Sequence, residues 1–168
     1  MGVDPGRDKT GWALVRGGGE LVLSGIVPAP EAELFWDVWP LAVGKWEEAL
    51  AVWTYERRFP VSCSEDVPGL EYIALGNGTG SRETARRLCG LSVKLNVRTV
   101  LVDEKGTTLE ARERYWALHR PALWQNCLPR RLRVPSRAVD DLAAWVIALR
   151  SLSAQTCGSD AGGAGGRS

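Results

Sequence analysis

Three short strands joined by two glycine-rich turns open the chain and constrain its fold more than any other feature. The pattern predicts strands at residues 1–3, 10–15 and 20–27. An Asp-Pro-Gly segment makes the first turn and three consecutive glycines make the second, because Pro fixes φ and Gly accepts positive φ. Strands joined by short turns pair antiparallel, so the chain is expected to begin as a three-stranded antiparallel sheet.

Asp4 ends the first of these strands, and its carboxylate faces the glycine-rich bend. An acid in that place can hold a metal ion or a metal-bound phosphate. Asp-Pro-Gly is also an ordinary turn sequence, since an Asp side chain can accept a hydrogen bond from the backbone of its own turn. Asp4 alone leaves both interpretations open.

Helical and strand patterns alternate after the opening sheet. They predict strands at residues 71–75 and 98–102, and helices at residues 34–59, 82–89, 107–118 and 137–151. The expected helix caps are Thr79 or Ser81, Thr107 or Thr108, and Ser136. This order of elements predicts an α/β fold with a mixed five-stranded sheet, three antiparallel strands first and then two parallel, flanked by helices.

Tryptophans recur through the longest predicted helix. Trp39, Trp46 and Trp53 stand seven residues apart, with Trp36 nearby. A stripe of this kind is typical of a core-facing helix, although it would also suit a partner surface or a platform for bases. We interpret it as core.

Length and composition predict one domain at residues 1–152, followed by a Gly/Ala/Ser-rich tail at residues 153–168 that we expect to be disordered. No apolar run is long enough to span a membrane, and charged residues stand where a signal peptide needs an apolar core. The four cysteines are scattered and there is a single histidine, which favours reduced thiols over a zinc site or disulfide framework. We therefore expect a cytoplasmic protein without a membrane partner.

Positive charge collects in the second part of the chain. Residues 1–70 carry six Lys/Arg and eleven Asp/Glu, whereas residues 71–168 carry fifteen and nine. The turn at residues 76–81 suits an anion, although it also suits a tight strand-to-helix connection. An Arg-rich loop at residues 120–135 suits a phosphate backbone and equally suits a solvated loop. The residues expected to contact nucleic acid are Thr79, Arg82, Arg86, Arg130, Arg131 and Arg133.

Acidic residues stand at the ends of three predicted elements. Asp4 follows the first strand, Asp103 and Glu104 follow the fifth, and Asp140 and Asp141 begin the last helix. A mixed α/β sheet can bring such ends together, and three sets of carboxylates are what a two-metal phosphoryl-transfer site requires.

Four motifs, in this order over about residues 1–150, carry a resemblance to a known family. They are Gly2-Val3-Asp4-Pro5-Gly6 with Thr10-Gly11, Leu75-Gly76-Asn77-Gly78-Thr79 with Arg82-Glu83-Thr84, Asp103-Glu104 with Thr107-Thr108 and Ala111, and Val139-Asp140 with Ala143-Ala144. The chain resembles the YqgF branch of the RNase H-like superfamily, which includes the RuvX Holliday-junction-resolvase-like proteins and the YqgF domain of Tex transcription factors. The opening is also similar to that of RuvC resolvases. Lys105 and Gly106 depart from the family pattern, in which Arg usually follows the two acids.

The resemblance implies an RNase H-like fold and a nuclease that processes ribosomal RNA precursors or resolves Holliday junctions. By motif position, Asp4, Glu104 and Asp140 correspond to its metal-binding catalytic acids. Oxygen ligands of this kind suit Mg²⁺ or Mn²⁺, and we expect two ions. Asp103, Asp141 and Thr107 are expected to support the site. The expected partner is RNA or branched DNA, bound by a monomer or a homodimer.

Two other functions also fit the sequence. The first is a nucleic-acid-binding module that keeps the fold without efficient catalysis, like the Tex domain. The second is an actin-like phosphotransferase, in which an acid-and-glycine opening also binds phosphate. Those enzymes close two domains over ATP, and this chain has length for one.

Overall fold

The computed structural model describes residues 1–38, 51–58, 70–78, 81–121, 123–129 and 132–159. Within these ranges the chain forms an α/β structure with one mixed six-stranded sheet and four flanking α-helices. The strands are β1 (Gly2–Pro5), β2 (Lys9–Val15), β3 (Leu21–Pro28), β4 (Thr54–Arg57), β5 (Tyr72–Gly76) and β6 (Arg98–Val102). The helices are α1 (Ala32–Val38), α2 (Ser81–Leu95), α3 (Thr107–Leu118) and α4 (Asp140–Ser159).

The strands lie in the order β4-β3-β2-β1-β5-β6. The first four along the chain pair antiparallel with their sequence neighbours, whereas β5 pairs parallel with β1 and β6 pairs parallel with β5. This arrangement confirms the predicted mixed α/β sheet, in which antiparallel strands come first. The parallel strands return through helices, which lie against the sheet and cover it.

The sheet has six strands rather than the predicted five. The additional strand, β4, lies in the segment predicted to be one helix from residue 34 to residue 59. That prediction is wrong at β4, because pairing with β3 at Leu23↔Arg57 overrides the helical spacing of the tryptophans. Residues 39–50, with Trp39 and Trp46, lie outside the described residues.

The last helix also differs from its prediction. It begins at Asp140 rather than at residue 137, and it continues through residues 153–159, which were predicted to belong to a disordered tail. A helix already held by packing extends at little cost, and Ser153 Oγ donates to the Leu149 carbonyl at 3.1 Å. Ser136 is not its cap, since that hydroxyl pairs instead with the Tyr115 hydroxyl at 2.8 Å. No helix in the described ranges is long and apolar enough to cross a membrane.

Side chains alternate between two cores on opposite faces of the sheet. Trp12 packs with Phe35 on the face covered by α1 and α2, and Ala13 packs with Leu142 on the face covered by α3 and α4. Trp36 and Trp53 are buried in the first core, which confirms the core interpretation for these two tryptophans.

Two glycines bring α4 directly onto the sheet. A methyl group at Gly2 would collide with the Ala144 carbonyl, and one at Gly11 would collide with the Asp140 carbonyl. Because neither glycine has a side chain, the helix backbone rests on the backbones of β1 and β2. Asp4 pairs with Gly11 in the sheet, so this close packing brings the start of α4 to the strand that carries Asp4.

Candidate functional site

Asp4 lies within β1 rather than in the turn that follows it. Its side chain shares a face of the strand with Gly2, two residues earlier, and that face meets α4. The carboxylate is thus half-buried between the sheet and the first turn of the helix.

Asp140 is the first residue of α4, and its carboxylate pairs with a lysine that the sequence analysis did not select. Lys9 Nζ lies 2.7 Å from Asp140 Oδ2. Lys9 begins β2 two residues before Gly11, so both residues point to the face that α4 covers. The strand alternation could therefore have placed Lys9 beside the acids.

Glu104 follows β6 by two residues, and several backbone contacts hold it there. Its carbonyl accepts hydrogen bonds from Thr107 N at 3.0 Å and Thr107 Oγ1 at 2.8 Å, and its amide donates to Asn77 Oδ1 at 3.3 Å. Thr107 is thus the first residue of α3 and a support for Glu104, rather than a side-chain cap. Gly106, with φ of 80°, occupies the position before the helix.

The Glu104 carboxylate reaches back over the turn that follows β5. A methyl group at Gly78 would fall on this carboxylate, and one at Gly76 would lie 2.7 Å from Oε2. Oε2 is buried and has no hydrogen-bond partner among the described residues. Burying a carboxylate oxygen without a hydrogen bond is energetically costly unless a cation or a donor reaches it.

Two of the predicted catalytic acids, Glu104 and Asp140, act on the third, Asp4. The pKa of Asp4 is raised from 3.8 to about 7, first by burial and then by the negative charges of Glu104 and Asp140, while Lys9 opposes the shift. Asp4, Glu104 and Asp140 come from three distant parts of the chain, and the fold brings their charges within interaction range.

Within the described part of the chain, no group of three or more His, Cys, Asp or Glu side chains is spaced to hold a metal ion. The donor chemistry nevertheless suits a hard divalent cation: three carboxylates, one of them with an unpartnered buried oxygen. At least one carboxylate must move for all three to bind the same ion.

Asp103 takes no part in this cluster. It is exposed, its Oδ1 accepts a hydrogen bond from Lys105 N at 3.1 Å, and its carbonyl accepts one from Arg150 Nη1 at 2.7 Å. Its contacts shape the turn between β6 and α3.

Asp141 belongs to a second, buried group of polar side chains beside the acids. It is fully buried and accepts hydrogen bonds from Ser24 Oγ at 2.7 Å and from Arg137 at 2.7 and 3.1 Å. Arg137 also donates to Glu56 Oε1 at 2.6 Å, and His119 Nε2 lies 2.7 Å from the same oxygen. These contacts tie the approach to α4 to strands β3 and β4.

The charge of Glu56 is stabilised within that group. Burial alone would raise its pKa, but hydrogen bonds from Arg137 and His119, together with their positive charges, lower the pKa below 4.5. The four-residue spacing of Arg137 and Asp141 could have revealed one pair from the sequence, whereas nothing local links either residue to Glu56.

Three of the six residues predicted to contact nucleic acid lie within the described part of the chain. Arg82 and Arg86 are exposed on α2, and Arg86 Nη1 lies 3.5 Å from Glu83 Oε2. Arg133 Nε donates to the Leu128 carbonyl at 3.1 Å, within the loop before α4. Thr79, Arg130 and Arg131 lie outside the described residues.

Comparison with protein-family models gives no match, and comparison with curated proteins gives none either.

Proposed function

We propose that the chain is a divalent-metal-dependent nuclease with an RNase H-like fold, acting on structured nucleic acid. One observation carries the proposal: the fold half-buries Asp4 beside Glu104 and Asp140, and burial followed by these two negative charges raises the pKa of Asp4 to about 7. Partly buried carboxylates that repel one another are stabilised as anions when a cation neutralises them, and a metal centre is a common reason for such a cluster.

The sheet supports this proposal. Three antiparallel strands followed by strands parallel to β1 are the arrangement that the YqgF resemblance implies. Asp4 on β1 and Glu104 after β6 stand toward the same edge of the sheet, since β1, β5 and β6 run parallel. The extra strand β4 pairs with β3, on the side of the sheet away from β5 and β6, so it does not alter the strand ends near Asp4 and Glu104.

In the proposed mechanism, Asp4, Glu104 and Asp140 supply the oxygen ligands. Bound divalent ions would activate the attacking water and stabilise the leaving 3′ oxygen of the phosphodiester. Lys9 holds the Asp140 carboxylate and adds a positive charge at the place where a phosphate would approach. Thr107 and Asn77 fix the backbone of Glu104.

A non-catalytic nucleic-acid-binding module is the second candidate, and one observation favours it. Lys9 already neutralises Asp140, and the described residues contain no ready-made group of metal ligands. An ammonium can replace a metal as counter-charge in a fold that has lost catalysis. Binding without cleavage under all divalent conditions would select this candidate.

The test is an assay of the purified chain with Mg²⁺ or Mn²⁺ on structured RNA, linear duplex DNA and a four-way junction. We expect cleavage of at least one substrate, its loss in Asp4→Asn, and its retention in Asp8→Asn. Asp8 is a suitable control because it is an exposed acid in the turn after β1. Absence of cleavage, or equal cleavage by Asp4→Asn, would overturn the proposal.

A further inference from the structure

The glycine-rich turn after β5 lies against a carboxylate of the protein itself, that of Glu104. Gly76 ends β5, and both Gly76 and Gly78 face the Glu104 carboxylate with no side chain between them. The sequence pattern suits an anion at this turn, and the structure fills the space against Gly76 and Gly78 with the Glu104 carboxylate.

Sheet register shows why the glycines matter. Val3 pairs with Leu75 in the parallel β1–β5 ladder, so the next step along both strands sets Asp4 beside Gly76. Gly76 pairs in turn with Val102 of β6, two residues before Glu104. Gly76 therefore lies between the two acids, and a side chain there would stand in the path of Glu104 toward Asp4.

We propose that Gly76 and Gly78 are positioning residues that seat the Glu104 carboxylate across the end of β5, and that the turn serves this acid rather than a substrate phosphate. The proposal rests on the metal-dependent function proposed above for its consequence, although the contact itself is independent of that function. The unpartnered Oε2 is the oxygen that the seat leaves for a cation.

A single substitution displaces the acid with little damage to the fold. In Gly78→Ala the new methyl group meets the end of the flexible Glu104 side chain, which can swing away, rather than backbone. Gly90→Ala is the matched control, because a methyl group at Gly90 meets nothing within 4 Å. Glu104→Asp, placed in the Gly78→Ala background, shortens the side chain and should restore room for a carboxylate.

The first measurement uses the metal-free protein and does not depend on nuclease function. Backbone amide resonances of Gly76, Asn77 and Gly78 are compared between the wild type and Glu104→Ala. We expect clear shifts at all three amides and none of similar size in Glu110→Ala. Unchanged amides in Glu104→Ala would overturn the seat.

The second measurement is Mn²⁺ affinity by titration calorimetry. We expect Gly78→Ala to weaken binding about 10- to 100-fold, as disturbing a residue that orients a metal ligand commonly does. Gly90→Ala should bind like the wild type, and Gly78→Ala with Glu104→Asp should recover part of the affinity. Unchanged Mn²⁺ affinity with weakened nucleic-acid binding in Gly78→Ala would show that the turn is a substrate site and overturn the proposal. If the wild type binds no Mn²⁺ but its Gly76, Asn77 and Gly78 amides still differ from those of Glu104→Ala, the proposed function is overturned. The positioning of Glu104 by the two glycines is then still supported.

Discussion

Lys9 Nζ lies 2.7 Å from Asp140 Oδ2, and the Lys9 charge also acts on Asp4. Lys9 is therefore a counter-charge to two of the three acids. A divalent ion that binds Asp140 competes with the Lys9 ammonium for the same carboxylate. For the proposed metal site, we therefore expect the ion pair to lower the apparent metal affinity.

Replacing Lys9 with Met should strengthen divalent-ion binding. The substitution keeps the length of the side chain and removes its charge, so the acids lose their counter-charge. The ion pair is partly exposed and contributes about 0.2–1 kcal/mol, which corresponds to a gain in affinity of up to about fivefold. Titration calorimetry with Mn²⁺ measures it, and weaker binding by Lys9→Met would show that Lys9 assists the metal site instead.

Asp4 should make the protein less stable as the pH rises. Its pKa is about 7 in the folded state and 3.8 when unperturbed, so between these values the folded state binds more protons than the unfolded state. The free energy of unfolding therefore falls as the pH increases through this window. Asp4→Asn should exceed the wild type in stability at about pH 9 and match it near about pH 4, in urea unfolding without metal. Asp8→Asn is the control, and parallel pH profiles for wild type and Asp4→Asn would contradict the assignment.

Trp53→Ala should destabilise the fold by about 3–5 kcal/mol, as truncation of a core aromatic residue does. Trp53 is 8% exposed, packs edge-on against Phe35 with ring centroids 5.6 Å apart, and donates from Nε1 to Glu31 at 3.3 Å. Trp124, which is 67% exposed, is the control, and Trp124→Ala should cost far less. Chemical denaturation measures both. Equal losses would show that burial of Trp53 does not stabilise the core.

Arg137→Met should cost about 3–5 kcal/mol, because it leaves the buried carboxylates of Asp141 and Glu56 without their shared partner. Arg120→Met is an exposed control from the preceding loop. Urea unfolding near neutral pH gives the difference. If Arg137→Met is as stable as Arg120→Met, Ser24 and His119 suffice to hold the two acids.

Arg82 and Arg86 should contribute to nucleic-acid affinity through phosphate contacts. Replacing both with Gln should weaken binding of all sequences alike and reduce the log–log salt slope by about 0.7–0.9 for each lost contact. Arg98→Gln is the control, since Arg98 begins β6 and Glu104 follows the other end of that strand. Equilibrium binding across a salt series measures the slope, and an unchanged slope would place the nucleic acid elsewhere.

Local pattern sufficed where an element depends on its own residues. The strand at Arg98–Val102 and the helix at Thr107–Leu118 were both predicted with their observed bounds. Strand β4 could not be predicted in this way, because Thr54–Arg57 becomes a strand through pairing with β3. Strand alternation could have placed Lys9 on the face that carries Asp4, but its pairing with Asp140 depends on how α4 crosses the sheet. The sequence contains both the glycine turn and Glu104, but only the register of β5 with β6 reveals their contact.

Gly2 and Gly11 let the backbone of α4 approach the sheet directly, in addition to the side-chain packing of Leu142 on Ala13. Side-chain cores tolerate exchanges of volume, because neighbouring rotamers adjust. Two main chains in contact cannot adjust in this way. Replacing either glycine with alanine must therefore move the helix away from the sheet or bend the strands. Asp140 begins α4 and lies at the end of the helix that a side chain at Gly11 would displace. We therefore expect the position of Asp140 relative to Asp4 to tolerate changes of side-chain volume in the core, but not the addition of a side chain at Gly2 or Gly11.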